Sequence, residues 1–231
     1  AYRSTQVFSH WEKINPVLVK RILKLGLPIG LAVFFEVSIF STGAIVLSPL
    51  GDTLVAAHQI AMSVTSQLFM IPMSLAIALT IRVGMYYGEK NWVAMRHVQK
   101  LGLATATFFA ICTMSLIWFA RPQIVAIYTQ DPAVFNVALY LLLFAMAYQL
   151  MDAWQVGAAG CLRGMQDTKG PMWITLIAYW VIAFPVGIYL ARVAKMGPAG
   201  VWLGLIIGLS IACVLLLARL YSNNRKLAAQ P

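Results

Sequence analysis

Two acidic residues, Glu36 and Asp152, lie inside long apolar stretches of this sequence, while the other five acids lie between or outside those stretches. A carboxylate inside a bilayer costs about 2.5 to 3.5 kcal/mol on insertion scales, so it almost always faces the protein interior, a partner or water. No Lys or Arg shares this depth in the sequence. Two carboxylates without a fixed counter-ion suit a mobile one, either a proton or a metal cation held by oxygens. We therefore predict a cation site that contains Glu36 and Asp152.

Asp152 belongs to the stretch Leu141 to Gly164, which reads LLLFAMAYQLMDAWQVGAAGCLRG. Tyr148 precedes Asp152 by four residues, so the two side chains share a face of a helix. Gln149 and Gln155 are expected to continue that face as a narrow polar stripe along a cavity or proton path. A hydroxyl and amide oxygens are suitable cation ligands, and we place Tyr148 in the predicted site, with sodium bound at Glu36, Tyr148 and Asp152 if sodium is the ion.

A second apolar stretch, residues 53–80, also carries polar side chains at helical spacing. His58 and Gln59 are candidates for the cavity or proton path, although a histidine near a span end is often only hydrogen-bonded. The same stretch carries four large apolar side chains that could line an apolar ligand pocket or could simply pack between helices. These are Met62, Phe69, Met70 and Met73. The aromatic pairs Phe34-Phe35 and Tyr179-Trp180 suit either an organic cation or lipid.

The composition is that of a polytopic helical membrane protein. Apolar residues make up 61% of the chain and charged residues only 10%, with a mean hydropathy of +0.81. A soluble domain carries about a quarter charged residues. The three cysteines have neither metal-ligand nor disulfide-like spacing and are interpreted as small core residues.

Six apolar stretches are long enough to cross the hydrocarbon core of a bilayer. Their predicted bounds are 25–48, 53–80, 101–120, 133–160, 171–190 and 199–221. Residues 1–24 are predicted to form a cytoplasmic amphipathic connector, and residues 222–231 a cytoplasmic tail. The segment Arg82 to Lys100 is interpreted as a long basic loop, and Pro28 is placed in the first turn of the first helix.

The distribution of basic residues predicts the orientation. Fourteen of the 17 Lys and Arg residues lie before the first span, at or beyond the end of the sixth, or in the two connections that share their side. Cytoplasmic segments carry such an excess, so both termini are expected to be cytoplasmic. The net charge of +10 is thereby explained by topology and anionic lipid headgroups, and no nucleic-acid partner is expected.

Enzymes are poorly supported, because the HExxH, GxSxG, Walker A and GxGD motifs are absent from the sequence. The two membrane acids alone would be a weak basis for an aspartyl-protease-like dyad. A non-transporting membrane scaffold, in which the acids only bridge helices, stays open as an alternative. In a scaffold, replacing the two acids by their neutral amides would leave every property of the protein unchanged.

Several segments resemble the carboxy-terminal half of NorM-type multidrug and toxic compound extrusion (MATE) transporters. They read LGLPIGLAVFFEVSIF, SPLGDTLVAAHQIA, FMIPMSLAIALTIRVG, YQLMDAWQVGAAGCLRGMQDTKG, AYWVIAFPVGIYLA and MGPAGVWLGLIIGLS, in that order. The resemblance covers essentially the whole chain and all six predicted spans. It implies one six-helix lobe of a twelve-helix transporter, whose other, amino-terminal lobe would be the partner of this chain.

The resemblance also implies a function. Such transporters are multi-pass proteins of the bacterial inner membrane that export cationic, lipophilic drugs in exchange for sodium or protons, and they need no cofactor beyond the coupling ion. The family's cation site in this lobe uses a glutamate in an FFE motif and a tyrosine and an aspartate in a YQxxD motif. These positions match Glu36, Tyr148 and Asp152, while Gln59 is a weaker match.

Two expectations depend on the rest of the protein. One lobe cannot by itself form an inter-lobe cleft, and the first residue is Ala rather than Met, so we expect the chain to be part of a longer polypeptide or to pair with another half. A lipid-linked precursor flippase of the wider superfamily is the alternative transporter. It would need cationic residues in its cavity to hold phosphates, and none is seen in mid-span.

Overall fold

The computed structural model describes residues 15–228. The predicted connector lies outside this range over residues 1–14, and so do the last three residues of the predicted tail. Within the described range there is no strand, and six helices are long and apolar enough to cross a membrane. The predicted fold class, an all-α polytopic membrane protein, is confirmed.

The six helices follow one another with short connections. They are α1 (Pro16–Leu47), α2 (Asp52–Gly88), α3 (Trp92–Tyr128), α4 (Pro132–Gly164), α5 (Lys169–Val193) and α6 (Pro198–Ala228). A 3-10 turn, Ser48–Leu50, joins α1 to α2. Polar caps fix three of the starts: Asn15 accepts hydrogen bonds from the amides of Val17 and Leu18, Asn91 accepts one from the Ala94 amide, and Asp131 accepts one from the Ala133 amide.

The helices are longer than the apolar stretches that predicted them. The interpretation of Arg82 to Lys100 as a loop is wrong, because α2 continues to Gly88 and α3 begins at Trp92. Pro28 lies twelve residues into α1 rather than in its first turn. The reason is that hydropathy marks only the part of a helix that is in lipid. A helix of 37 residues is about 55 Å long and extends beyond a hydrocarbon core of about 30 Å.

The fifth helix is irregular. It is α-helical over Lys169–Leu176, π-helical over Ile177–Ala183, α-helical over Phe184–Ile188 and π-helical again over Tyr189–Val193. Pro185 has no amide hydrogen to donate to the preceding turn, which favours a wider turn there. The neighbouring α6 meets this region with Gly204, where an added Cβ would lie 2.5 Å from the Cα of Gly187.

The core is built around α4, which packs against α2, α3 and α6 and is buried over most of its second half. Its contact with α2 is close: the Thr80 hydroxyl donates to the Gly160 carbonyl at 3.0 Å. In contrast, α1 is peripheral and packs mainly against the start of α5. Because α1 meets α2 over only a small area, a space is left between α1 and the rest of the lobe.

Candidate functional site

A cavity of about 460 Å³ occupies the space between α1, α2, α4 and the start of α5. Most of its walls are apolar. The polar and charged side chains on its walls are Glu36, Ser41, Gln59, Thr65, Ser66, Tyr148, Gln155, Arg163, Thr168 and Thr175. On α4 the wall extends from Tyr148 to Arg163, fifteen residues or about 22 Å of helix. A cavity of this size accommodates a drug-sized molecule.

Glu36 enters the cavity from the middle of α1, where its carboxyl faces Gln155 of α4 and Tyr179 of α5. The side chain is half-buried, and its Oε1 atom is fully buried without a hydrogen-bond partner. Phe40, one turn further along α1, packs edge-on against the ring of Tyr148, with a centroid distance of 5.9 Å. Helix α1 therefore brings its acid and this ring to the predicted tyrosine.

Asp152 lies behind the cavity wall and is 0% exposed. The hydroxyl of Tyr148 donates a hydrogen bond to Asp152 Oδ1 at 3.3 Å, as expected for side chains four residues apart on a helix. The other oxygen, Oδ2, has no partner. Tyr148 itself lines the cavity, so it stands between Asp152 and the open space.

The two acids lie near enough for their charges to interact. Two adjacent carboxylates in an apolar surrounding repel each other if both are ionised, and burial disfavours either charge. The buried oxygens that lack a hydrogen-bond partner at this place are Glu36 Oε1, Asp152 Oδ2, Gln155 Oε1 and Tyr179 Oη. A proton shared by the acids or a cation held by these oxygens would satisfy them.

The remaining predicted path residues do not all reach the cavity. Gln59 and Gln155 line it. Gln149 is buried but faces the opposite side of α4, toward Pro72 and Ala110, so the polar stripe does not include it. His58 is also absent from the wall and lies 1% exposed against Gly43 and the edge of Trp202. Gln149 is one residue, or about 100°, away from Tyr148 and six residues, or about 120°, away from Gln155, so it is turned away from these two residues of the cavity wall.

The predicted apolar pocket is largely present. Met62, Phe69 and Met73 of α2 line the cavity, while Met70 does not and is 57% exposed. Among residues 15–228 no three His, Cys, Asp or Glu side chains form a metal-binding group. The oxygens available to a cation therefore come from two acids, an amide and tyrosines.

Two residues of the site were missed in the sequence. Tyr179, interpreted as an aromatic contact for an organic cation or lipid, is 1% exposed beside Glu36. Arg163, interpreted as part of a polar turn, is the last basic residue of α4 and lines the same cavity as Glu36. The sequence places no Lys or Arg at the depth of the two acids, and the structure adds that Arg163, eight residues along α4 from Gln155, lines the same cavity.

A separate ionic cluster joins the α4–α5 connection to α6. Asp167 accepts from Arg219 Nε at 2.6 Å, from Arg219 Nη2 at 3.0 Å and from Asn223 Nδ2 at 2.8 Å. Burial is the largest single effect on this carboxyl, and by itself it would raise the pKa of Asp167. The hydrogen-bond donors together outweigh burial, so the pKa of Asp167 is lowered. The cluster holds the start of α5, and with it Thr168 and Pro171 of the cavity wall.

Comparison with known proteins gives consistent matches. The model of the MatE family matches residues 28–189. A probable multidrug resistance protein NorM of Acinetobacter baylyi is 93% identical over 230 residues, covering 100% of this chain and 51% of that protein. The multidrug resistance protein PmpM of Pseudomonas aeruginosa is 42% identical over 233 residues, covering 99% of this chain and 49% of that protein. The chain thus spans about half the length of the curated relatives it matches.

Solved structures share the fold. The crystal structure of the eukaryotic MATE transporter AtDTX14 superposes with a TM-score of 0.86 at 20% identity, covering 98% of this chain and 53% of that chain. An outward-facing multidrug resistance MATE family transporter of the MOP superfamily superposes with a TM-score of 0.82 at 18% identity, covering 94% and 49%. The resemblance seen in the sequence is confirmed, since the family model covers more than half of the residues. The chain belongs to the MatE family.

Proposed function

We propose that this chain is the carboxy-terminal lobe of a cation-coupled multidrug efflux antiporter of the bacterial inner membrane. It would act with an amino-terminal six-helix lobe to export cationic lipophilic compounds in exchange for sodium or protons, with both termini in the cytoplasm. The names of the relatives, which describe multidrug resistance proteins, support efflux. The chain spans about half of their length, which supports a partner lobe.

One observation carries the proposal. Helices α1 and α4 place Glu36 and Asp152 together beside a drug-sized cavity, and buried oxygens around them lack hydrogen-bond partners. Burying two carboxyl groups inside a membrane costs free energy, so a membrane protein rarely retains such a pair unless the pair has a function. Binding of a cation would remove the repulsion between the acids, and removal of the cation would restore a negative site for a cationic drug.

Exchange follows if the two ligands favour different states. The bound coupling cation neutralises the site and favours one arrangement of α1 against α4. The cationic drug occupies the cavity in the other arrangement. Coupling requires only that each ligand has different affinities for the two states. The peripheral position of α1 makes it the element that can move with least loss of packing.

The ion is left as either sodium or a proton. Tyr148, Gln155 and Tyr179 add neutral oxygens to the two acids, which suits sodium. The hydrogen bond from Tyr148 to Asp152 and the adjacent acids suit a shared proton equally well. A transport assay separates the two, because a sodium gradient would drive efflux in one case and a proton gradient in the other.

A lipid-linked precursor flippase is the second candidate, because Arg163 gives the cavity one cationic side chain. A phosphate-bearing lipid would be held better by several such residues, and Arg163 is the only Lys or Arg on the described cavity wall. The acids beside the cavity favour a cationic substrate instead.

The test is efflux of a cationic dye from everted vesicles that contain this lobe together with its partner lobe. Sodium and proton gradients are imposed separately on the wild type and on Asp152→Asn. We expect one gradient to drive efflux in the wild type and neither to do so in the variant, with equal protein in the membrane. Efflux retained by Asp152→Asn would show that the acids only join helices.

A further inference from the structure

Arg163 holds a charge in the cavity that the cation site does not use. Its side chain is half-buried in the last turn of α4. Nε donates to the carbonyl of Ala159 in the same helix at 3.3 Å. The two terminal nitrogens form no hydrogen bond with any residue in the range 15–228. A guanidinium has five N–H donors, so most of its capacity is free for a ligand.

Glu36 is the acid on the wall of the same cavity, and its charge interacts with that of Arg163. They do not form an ion pair, although within the described chain Asp167 and Arg219 do so at the protein surface. On α4, Gln155 beside Glu36 and Arg163 are eight residues or about 12 Å apart along the helix. The wall between these levels is apolar and includes Val156 and Ala159.

We propose that Arg163 forms an anion subsite, which binds the carboxylate of an amphipathic molecule whose cationic end lies near Glu36. The apolar wall between the two charges would contact the body of such a molecule. This inference rests on the proposed function, because it takes the cavity to be the substrate site. It adds a specificity-determining residue outside the predicted set.

The geometry favours a ligand over an internal counter-ion. An Arg whose task was to neutralise Glu36 would gain most from direct contact, since a bidentate guanidinium–carboxylate pair is the strongest arrangement available. Here the two groups lie on different helices with the cavity between them. Glu36 Oε1 is buried without a hydrogen-bond partner, and Arg163 donates to residues 15–228 only through Nε; a bridging molecule could bind to both groups.

Two dyes with the same cationic ring system test the subsite. Rhodamine B carries a free carboxylate, and its ethyl ester lacks that charge. Efflux of each dye is measured with wild type, Arg163→Gln and Arg163→Lys in the two-lobe transporter. Equilibrium binding of each dye to the same purified proteins is measured by fluorescence anisotropy, which does not depend on transport.

The matched control is Arg96→Gln. Arg96 is also half-buried, and its Nε donates to the Trp92 carbonyl of its own helix at 3.1 Å. It does not line the cavity. Arg96→Gln thus removes a half-buried guanidinium with the same kind of hydrogen bond without touching the proposed subsite.

Arg163→Gln is expected to weaken binding and efflux of rhodamine B about tenfold or more, because a charge-assisted contact is lost. Arg163→Gln should bind and export the ester as well as the wild type does. Arg163→Lys should recover part of the rhodamine B binding. Arg96→Gln should treat both dyes as the wild type does.

Equal losses for both dyes, or no loss for either, would overturn the anion subsite. Failure of the proposed function has a different outcome: the wild type would then export neither dye under any gradient. In that case the anisotropy measurement still decides, since selective loss of rhodamine B binding in Arg163→Gln supports the subsite and unchanged binding refutes it.

Discussion

Tyr148 donates the one hydrogen bond that the Asp152 carboxyl receives from residues 15–228. The phenol therefore fixes the orientation of one carboxyl oxygen and leaves the other, Oδ2, free of partners. Because Tyr148 also lines the cavity, it is placed to contact a cation that enters. In the proposed cation site Tyr148 would therefore both orient Asp152 and contact the cation.

Replacing Tyr148 by Phe tests this role. We expect the cation concentration for half-maximal efflux to rise up to about tenfold, since a buried hydrogen bond contributes about 0.5 to 1.5 kcal/mol. The measurement is efflux as a function of sodium concentration or pH. Tyr140→Phe is the control on the same helix, because Tyr140 is exposed and lies away from the cavity. An unchanged cation dependence in Tyr148→Phe would remove the phenol from the site.

The spacing of Tyr148 and Asp152 could be interpreted in the sequence because both lie on one regular helix. Tyr179 and Arg163 could not be assigned in the same way. Tyr179 lies in a π-helical segment, where the usual periodicity does not apply. Arg163 lies just inside the end of α4, where a basic residue is normally explained by topology alone.

Among the helices, α2 and α4 form the most extensive contact. A Cβ added at Gly160 would lie 2.6 Å from the carbonyl oxygen of Ala76, which belongs to the backbone and cannot turn away. The Thr80 hydroxyl bridges the two helices at the same level. Small residues thus allow α4 to approach α2, as in many membrane helix pairs.

Gly160→Ala is expected to destabilise the lobe by about 1 to 3 kcal/mol, because the helices must separate to admit the methyl group. Thermal unfolding in detergent measures the effect. The control is Gly30→Ala in α1, where an added Cβ meets nothing within 4 Å. That change should be neutral or slightly stabilising, since Ala is the better helix former. Equal stability of the two variants would contradict the packing described for α2 and α4.

The Asp167–Arg219 ion pair acts between elements, tying the α4–α5 connection to α6. We expect Asp167→Asn to lower stability by about 1 kcal/mol at neutral pH, the modest value appropriate to a pair whose Arg is 43% exposed. The pKa of Asp167 is lowered in the folded protein. The ionised carboxylate therefore stabilises the fold above the ordinary aspartate pKa, and this stabilisation is lost as the pH falls through the lowered value.

Unfolding midpoints of wild type and Asp167→Asn, measured from neutral pH downward, check this sign. The difference between them should shrink on acidification below about pH 4. Glu89→Gln is the control, because Glu89 is an exposed acid at the end of α2. A difference that grows on acidification would show that Asp167 is not held as a carboxylate.

In the whole molecule, α1 stands apart from a compact group formed by α2, α3, α4 and α6. The cavity is the consequence of this separation, and Glu36 is the acid that α1 contributes to it. A partner lobe is expected to complete the substrate path. The lobe alone nevertheless holds both acids and the cavity wall around them.

The number of spans and the depth of the acids could be predicted from the sequence, because hydropathy and the cost of buried charge are local properties. The face of α4 that packs against each neighbouring helix could not be predicted from the sequence. Gln149 was placed with Asp152, yet it faces α2 and α3 near Pro72 and Ala110. The full lengths of α2 and α3 could not be predicted for a different reason: polar helical turns outside lipid carry no hydropathy signal.

The central claim is that Glu36 and Asp152 hold the cation that is exchanged for drug. The most direct test adds rhodamine B ethyl ester to the purified two-lobe transporter and records released sodium and protons with ion-selective electrodes. We expect the wild type and Glu89→Gln to release one of these ions, and Glu36→Gln and Asp152→Asn to release none. Release from either acid variant equal to that of the wild type would contradict the claim.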